Sequence, residues 1–197
     1  QVVFQLIRVS AKFSTFLAVV LLHAGVGQIR VADFLAGVQQ RDRLAVLAGF
    51  SIADRERNRV NIPKMQEGKL DGVFLAAFIG QGKRDGLLQE AVQKVTGLIE
   101  GIRKQAELNK DLCGIAVTNQ DFIRLKNEGK KAFFIGIENG YGIGKDLANI
   151  AKFKAMGVNY ITLCHSYDND FATIHHTKKE WDGLSPFGEE VVKEMNR

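Results

Sequence analysis

From residue 60 onward, short apolar runs alternate with segments in which apolar residues recur at helical spacing. The predicted strands are residues 71–79, 113–117, 132–137 and 160–163, and the predicted helices are residues 86–108, 120–128, 145–156 and 186–195. Continuous apolar runs are typical of parallel strands that are buried on both faces. Strict alternation of strand and helix predicts parallel strands joined by right-handed crossovers. The fold class is therefore α/β, and both part of a (β/α)₈ barrel and a doubly wound sheet fit the pattern.

Local signals refine the helix predictions. Phe122, Ile123 and Leu125 are expected to face inward from the second helix, which Gly129 ends. Ser185 offers an N-cap to the last helix, with Pro186 at its first position.

The charge composition changes near residue 60. Residues 1–59 contain seven Arg and one Lys, whereas residues 60–197 contain four Arg and fifteen Lys. Because fold and function do not readily demand such a switch, we treat residues 1–59 as an atypical N-terminal segment of doubtful origin. The apolar run at residues 13–22 is too short to span a bilayer. A secretion signal, a buried helix and a translated stretch without meaning all remain open for it, and the compartment is not predicted.

The overall composition is that of a globular protein without a nucleic-acid surface. Hydrophobic residues make up 46% of the chain, and the formal net charge of +5 is modest. No basic run interleaved with aromatics is present, which argues against a nucleic-acid partner. Cys113 and Cys164, the two cysteines, lie in apolar runs and do not form a disulfide framework. We expect both to be small buried side chains.

Two residues stand where an α/β fold places its active site, at the carboxyl ends of the strands. Glu138 follows the strand at 132–137, and His165 follows the strand at 160–163 with one residue between. Consecutive parallel strands bring these ends side by side, so the spacing predicts that the two side chains meet. Such a pair could bind a metal or act as acid and base. It could also be structural, with Glu138 capping a turn and His165 donating to a loop carbonyl.

Other candidate sites are weaker. The glycines from Gly140 to Gly144 lie between a strand and a helix, but their spacing matches neither common phosphate-loop motif, and a tight turn explains them more simply. Cys164 and His165 are adjacent, so they should point to opposite faces. His175 and His176 lie in a polar segment, and His23 lies in the doubtful N-terminal segment.

Three blocks of the sequence resemble the membrane (renal) dipeptidase family of zinc metallopeptidases. They are residues 61–82, residues 133–166 and residues 183–197, in the order and spacing of the N-terminal half of that family. The resemblance implies a (β/α)₈ barrel with two zinc ions at the strand ends and a dipeptide substrate. It also implies that Glu138 is the ligand bridging the two ions and that His165 contacts the substrate carbonyl.

The sequence also departs from the family pattern. The family opens its first strand with His-x-Asp, and no such motif occurs from residue 1 to residue 60. One bridging carboxylate cannot hold two zinc ions, since each needs three or more protein ligands. We therefore expect a truncated barrel over residues 60–197, which is inactive on its own and binds zinc weakly. We also expect residues 1–58 to be poorly ordered or packed unlike the family.

Three hypotheses of function remain at this stage. The first is an incomplete zinc-dependent dipeptidase. The second is a non-catalytic binding or structural remnant of the same fold, and the third is a nucleotide-binding α/β domain that uses the loop from Gly140 to Gly144. No membrane span and no nucleic-acid partner are predicted, and a homodimer stays open.

Overall fold

The structure is a computed structural model that describes residues 51–56, 60–81, 88–165, 167–173 and 181–197. Helices and strands alternate along it. They are α1 (Ile62–Glu67), β1 (Gly72–Phe78), α2 (Leu88–Leu108), β2 (Cys113–Ile115), α3 (Asn119–Asn127), β3 (Lys131–Glu138), a 3₁₀ turn (Gly140–Ile143), α4 (Ala148–Ala155), β4 (Val158–Ile161) and α5 (Pro186–Met195).

The strands form a sheet in the order β1-β3-β2, and β4 also pairs with β3. The pairs β2–β3 and β3–β4 are both parallel, with Gly114 opposite Ala132 and Ile137 opposite Ile161. The predicted α/β class with a parallel sheet is therefore confirmed. Within the described ranges, no helix combines the length and apolar character that a membrane crossing requires.

The described chain divides into two compact units. The first comprises residues up to Leu75 together with Gly101–Phe134. Its main core contains Ile52, Ile62 and Phe133, each at most 6% exposed. The amide of Ile52 also donates to the side chain of Gln105 at 2.9 Å. Ile52, which belongs to the segment expected to be atypical, thus contributes to a packed core, while residues 1–50 and 57–59 of that segment lie outside the described residues.

The second unit comprises Ala76–Glu100 and Ile135–Arg197. Its core lies between α4, α5 and the loop after β4, and Ile143, Phe171 and Val191 are its most buried members. Ser185 caps α5 by accepting from the amide of Gly188 at 2.9 Å, as the sequence predicts. This unit contains both residues predicted to form the site.

Four local predictions are wrong in detail. Strand β4 comprises Val158–Ile161 instead of residues 160–163. Ile123 does not face inward: it is 40% exposed, whereas Phe122 and Leu125 are buried. Helix α4 begins at Ala148, three residues later than predicted, because the carboxylate of Asp146 accepts the Ala148 amide in a turn. Strand β2 ends at Ile115 instead of residue 117, since the amide of Val117 donates to the carboxylate of Asp121 at the start of α3.

Candidate functional site

The carboxyl ends of β3 and β4 lie side by side in the second unit. Ile137 of β3 is opposite Ile161 of β4, and the amide of Thr162 donates to the carbonyl of Ile137 at 2.9 Å. Glu138 is the last residue of β3, and His165 lies in the loop that follows β4. The parallel pairing therefore brings two chemically active side chains to the same edge of the sheet.

The two predicted site residues are in contact. The Nε2 atom of His165 lies 3.2 Å from Oε1 of Glu138, and the side chains are 35% and 17% exposed. The ring of Phe78, at the end of β1, packs against the imidazole with centroids 4.8 Å apart and planes at 57°. The predicted juxtaposition is confirmed. A carboxylate that is mostly buried can orient the imidazole and can also offer its oxygens to a cation.

A cavity of about 90 Å³ opens beside this pair. Its lining consists of Phe78, Ile79, Gly80, Gln81, Asn139, His165 and Tyr167. That volume corresponds to about three water molecules, at roughly 30 Å³ each. The Tyr167 side chain is accessible, since the residue is 48% exposed. His165 is therefore accessible to a small ligand from this cavity.

A larger cavity of about 430 Å³ occurs in the same unit. It is lined by Lys145, Asp170, Trp181, Ser185, Pro186 and Phe187. The ammonium group of Lys145 lies 3.1 Å from the carboxylate of Asp170, so the charges in its wall compensate each other. Glu138 and His165 do not line it. Of the two residues, His165 lines the smaller cavity, so the candidate site lies beside that one.

The sequence analysis missed two buried amides next to the pair. Asn139 and Asn169 are each 1% exposed, and the Nδ2 atom of Asn169 lies 3.4 Å from Oδ1 of Asn139. One signal was available in the sequence, because Asn139 directly follows a strand and precedes the glycine-rich turn. Asn139 has a φ of 89°, which non-glycine residues seldom adopt except Asn and Asp.

The glycine-rich turn uses its own amides internally. The amide of Tyr141 donates to the side chain of Asn139, and those of Gly142 and Gly144 donate to backbone carbonyls of the turn. Residues 140–143 are all buried. A phosphate loop presents free amides to its ligand, so this geometry argues against the nucleotide-binding hypothesis. Gly144, with a φ of 68°, supports the interpretation as a tight turn.

Both cysteines pack in apolar surroundings. Cys164 packs against the core of the second unit, whereas its neighbour His165 contacts Glu138, as alternation along the chain predicts. Burial, together with the charge of Asp168, raises the pKa of the Cys164 thiol, and burial raises the pKa of Cys113 to about 11. The predicted burial is therefore confirmed for Cys113, while Cys164 is half-buried.

Metal donors are few around Glu138. Among the residues that the structure describes, no group of three or more His, Cys, Asp or Glu side chains could hold a metal ion. His23, His175 and His176 lie outside the described residues. A carboxylate and an imidazole are donors of the type that zinc prefers, so the pair fits part of a zinc site but does not complete one.

Comparison with known proteins identifies the family. A family model described as membrane dipeptidase, peptidase family M19, matches residues 31–197. The chain belongs to the membrane dipeptidase family. This family consists of metallopeptidases, and its match begins earlier in the chain than the three blocks of resemblance in the sequence.

The relatives and solved structures are longer than this chain. An uncharacterized dipeptidase of Schizosaccharomyces pombe is 29% identical over 175 residues, which cover 83% of this chain and 42% of that protein. Dipeptidase 3 of Mus musculus is 32% identical over 156 residues, which cover 77% of this chain and 30% of that protein. The structure of the probable dipeptidase PvdM from Pseudomonas aeruginosa aligns with a TM-score of 0.69 at 25% identity, covering 76% of this chain and 40% of that one. The chain thus spans less than half the length of these three proteins.

Proposed function

We propose that this chain carries part of the active site of a zinc-dependent dipeptidase built on a (β/α)₈ barrel. The contact between Glu138 and His165 at adjacent strand ends is the observation that carries the proposal. Membership of the dipeptidase family and the alternating parallel fold support it. The substrate class is a dipeptide, and residues 60–197 would supply the early strands of the barrel.

Glu138 would hold zinc through its carboxylate, as the ligand that bridges two ions in the complete site. When bound, zinc supplies Lewis acidity that polarises a peptide carbonyl and lowers the pKa of bound water. His165 would donate from its imidazole to the scissile carbonyl oxygen. The nearby carboxylate would orient this imidazole, and the Phe78 ring would limit the freedom of its plane.

The donor count implies that this chain does not form a working site by itself. The sequence contains no His-x-Asp motif, and the described residues provide no three-donor cluster. We infer that further ligands are needed and that the 197-residue chain binds zinc weakly. The same missing motif favours one alternative, a non-catalytic member of the fold in which Glu138 binds no metal.

Zinc titration of the purified chain separates these two proposals. We expect calorimetry to show weak zinc binding by the wild type. The substitution Glu138→Gln should lower the zinc affinity by about tenfold or more, since changing even the partners of metal ligands lowers metal affinity by about 10–100-fold. The matched control is Glu189→Gln, which removes a carboxylate that is 62% exposed on α5. Equal affinities in the two variants would contradict the metal role of Glu138 and favour the non-catalytic alternative.

A further inference from the structure

The backbone on both sides of Glu138 is bound to a single residue of the neighbouring strand end. Thr162 donates its amide to the carbonyl of Ile137, at 2.9 Å, and its hydroxyl oxygen accepts the amide of Asn139, at 2.8 Å. Ile137 and Asn139 are the residues immediately before and after Glu138. Thr162 therefore fixes the peptide units that carry the carboxylate.

Asn169 binds the corresponding segment ahead of His165. Its Nδ2 atom donates to the carbonyl of Leu163 at 2.6 Å and to Oδ1 of Asn139 at 3.4 Å. Its Oδ1 atom accepts the amides of Phe171 at 2.9 Å and Ala172 at 3.1 Å. Because the backbone partners are donors on one side and an acceptor on the other, they determine which way the amide group points.

Asn139 completes the connection. Its side-chain oxygen accepts the Tyr141 amide at 3.2 Å, and its Nδ2 atom donates to Oε1 of Gln81 at 3.2 Å. The Nε2 atom of Gln81 in turn donates to the backbone carbonyl of Asp168, the residue before Asn169, at 2.8 Å. The buried amides thus join the end of β3, the turn after it and the loop after β4 into one hydrogen-bonded network.

We propose that Asn169 is a positioning residue, which acts through Asn139 and Thr162 to hold His165 within reach of Glu138. The network contacts the backbone of the two residues that flank Glu138 and of Leu163, two residues before His165. A buried polar network specifies a single arrangement when its members are satisfied, because breaking one bond leaves others without partners. Its importance for catalysis rests on the proposed dipeptidase function, but its effect on geometry does not.

The test is Asn169→Asp in the full 197-residue chain. An Asp keeps the oxygen that accepts the Phe171 and Ala172 amides, but it places a second oxygen against the carbonyl of Leu163. The matched control is Asn149→Asp, because the Nδ2 atom of Asn149 also donates to a backbone carbonyl, that of Ile143, at 2.8 Å. Both changes remove one amide group and add one negative charge within the same unit.

Two readouts separate positioning from general stabilisation. Chemical denaturation measures the loss of stability in each variant, while NMR of the native state measures the nuclear Overhauser effect between the rings of His165 and Phe78. A His165→Gln variant assigns the imidazole signals among the four histidines of the chain. Native-state spectra report geometry and not stability, so a merely structural Asn would change only the first readout.

We expect Asn169→Asp to abolish the nuclear Overhauser effect between the rings of His165 and Phe78 and to shift the signals of the imidazole protons. Asn149→Asp should leave both as in the wild type. Unchanged spectra in Asn169→Asp, or no ring–ring effect in the wild type, would overturn the proposal. If Asn169→Asp does not fold, the variants Thr162→Val and Thr162→Ser test the proposal with the same spectra. Only Thr162→Val should change the imidazole signals, because Ser keeps the hydroxyl that accepts the Asn139 amide. Zinc is absent from these measurements, so failed zinc binding would count against the proposed function alone.

Discussion

Gly136 of β3 lies directly under the ring of Tyr160, its partner on β4. A Cβ atom built on Gly136 would lie 2.1 Å from Cζ of Tyr160, far inside van der Waals contact. The ring therefore needs a glycine beneath it, two residues before Glu138. Gly97 in α2 is the opposite case, since nothing lies within 4 Å of a Cβ built there.

This contrast predicts that the same substitution, Gly to Ala, changes the free energy of unfolding in opposite directions at the two positions. Gly136→Ala should lower the free energy of unfolding by about 1–3 kcal/mol, because the new methyl group overpacks the strand pair. Gly97→Ala should raise it by about 0.5–1 kcal/mol, since Ala favours a helix interior over Gly. Urea denaturation of both variants checks this. A neutral Gly136→Ala would contradict the packing of Tyr160 on β3.

At the residue scale, the sequence analysis was able to predict that Glu138 and His165 meet because both residues follow neighbouring parallel strands, although β4 ends two residues earlier than predicted. It could not predict Asn169, whose partner Asn139 is 30 residues away in the chain. No local pattern marks a hydrogen bond between two loops, since the partners depend on how β3 and β4 pair. The catalytic and metal-binding roles of Glu138 and His165 stay predictions.

At the scale of elements, α3 shows how a few side chains set a boundary. The Thr118 hydroxyl accepts the amide of Asp121 at 3.1 Å, and the Asp121 carboxylate accepts the amides of Thr118 and Val117. These bonds form a capping box that satisfies the first amides of the helix. The Thr118 hydroxyl also donates to the Asp121 carboxylate at 2.8 Å, and this bond is the main cause that lowers the pKa of Asp121 below its ordinary value of 3.8.

Thr118→Ala should therefore cost about 1 kcal/mol of stability, the usual value for a lost N-cap. The control Thr96→Ala lies within α2, where its hydroxyl only donates to the Val92 carbonyl, and it should not destabilise. Asp121 stabilises the fold above its ordinary pKa, and this contribution is lost as the pH falls through the lowered folded value. Thr118→Ala should reduce that loss in acid denaturation curves. Equal stabilities of the two variants would argue against the cap.

The elements that the sequence predicted best have long apolar runs or strong caps. Strand β3 was predicted nearly to its ends because residues 132–137 are buried throughout, and α5 because Ser185 and Pro186 mark its start. Helix α1 was missed because it has six residues, too few for a periodic pattern. The inward face of α3 was misjudged at Ile123, since Phe122 and Leu125 already define the buried side and Ile123 lies about 100° away from Phe122.

At the scale of the whole molecule, the parallel α/β fold and the dipeptidase family are established, while the activity is a proposal. The chain spans 42% and 30% of the length of two relatives. In the described ranges, no group of three or more His, Cys, Asp or Glu side chains could hold a metal ion. We therefore predict that the purified chain shows no metal-dependent cleavage of dipeptides at saturating zinc. Chromatographic detection of the released amino acids checks this. Cleavage that a chelator abolishes would show that the chain completes its own site.

The central claim is that the Glu138 carboxylate binds zinc at the end of β3. Zinc X-ray absorption of the chain, with protein in excess over metal, tests it most directly. We predict nitrogen and oxygen ligands at about 2.0–2.2 Å from zinc, no sulfur at about 2.3 Å, and a changed spectrum in Glu138→Gln. A sulfur shell, or a spectrum that is the same in the wild type and in Glu138→Gln, would contradict the claim.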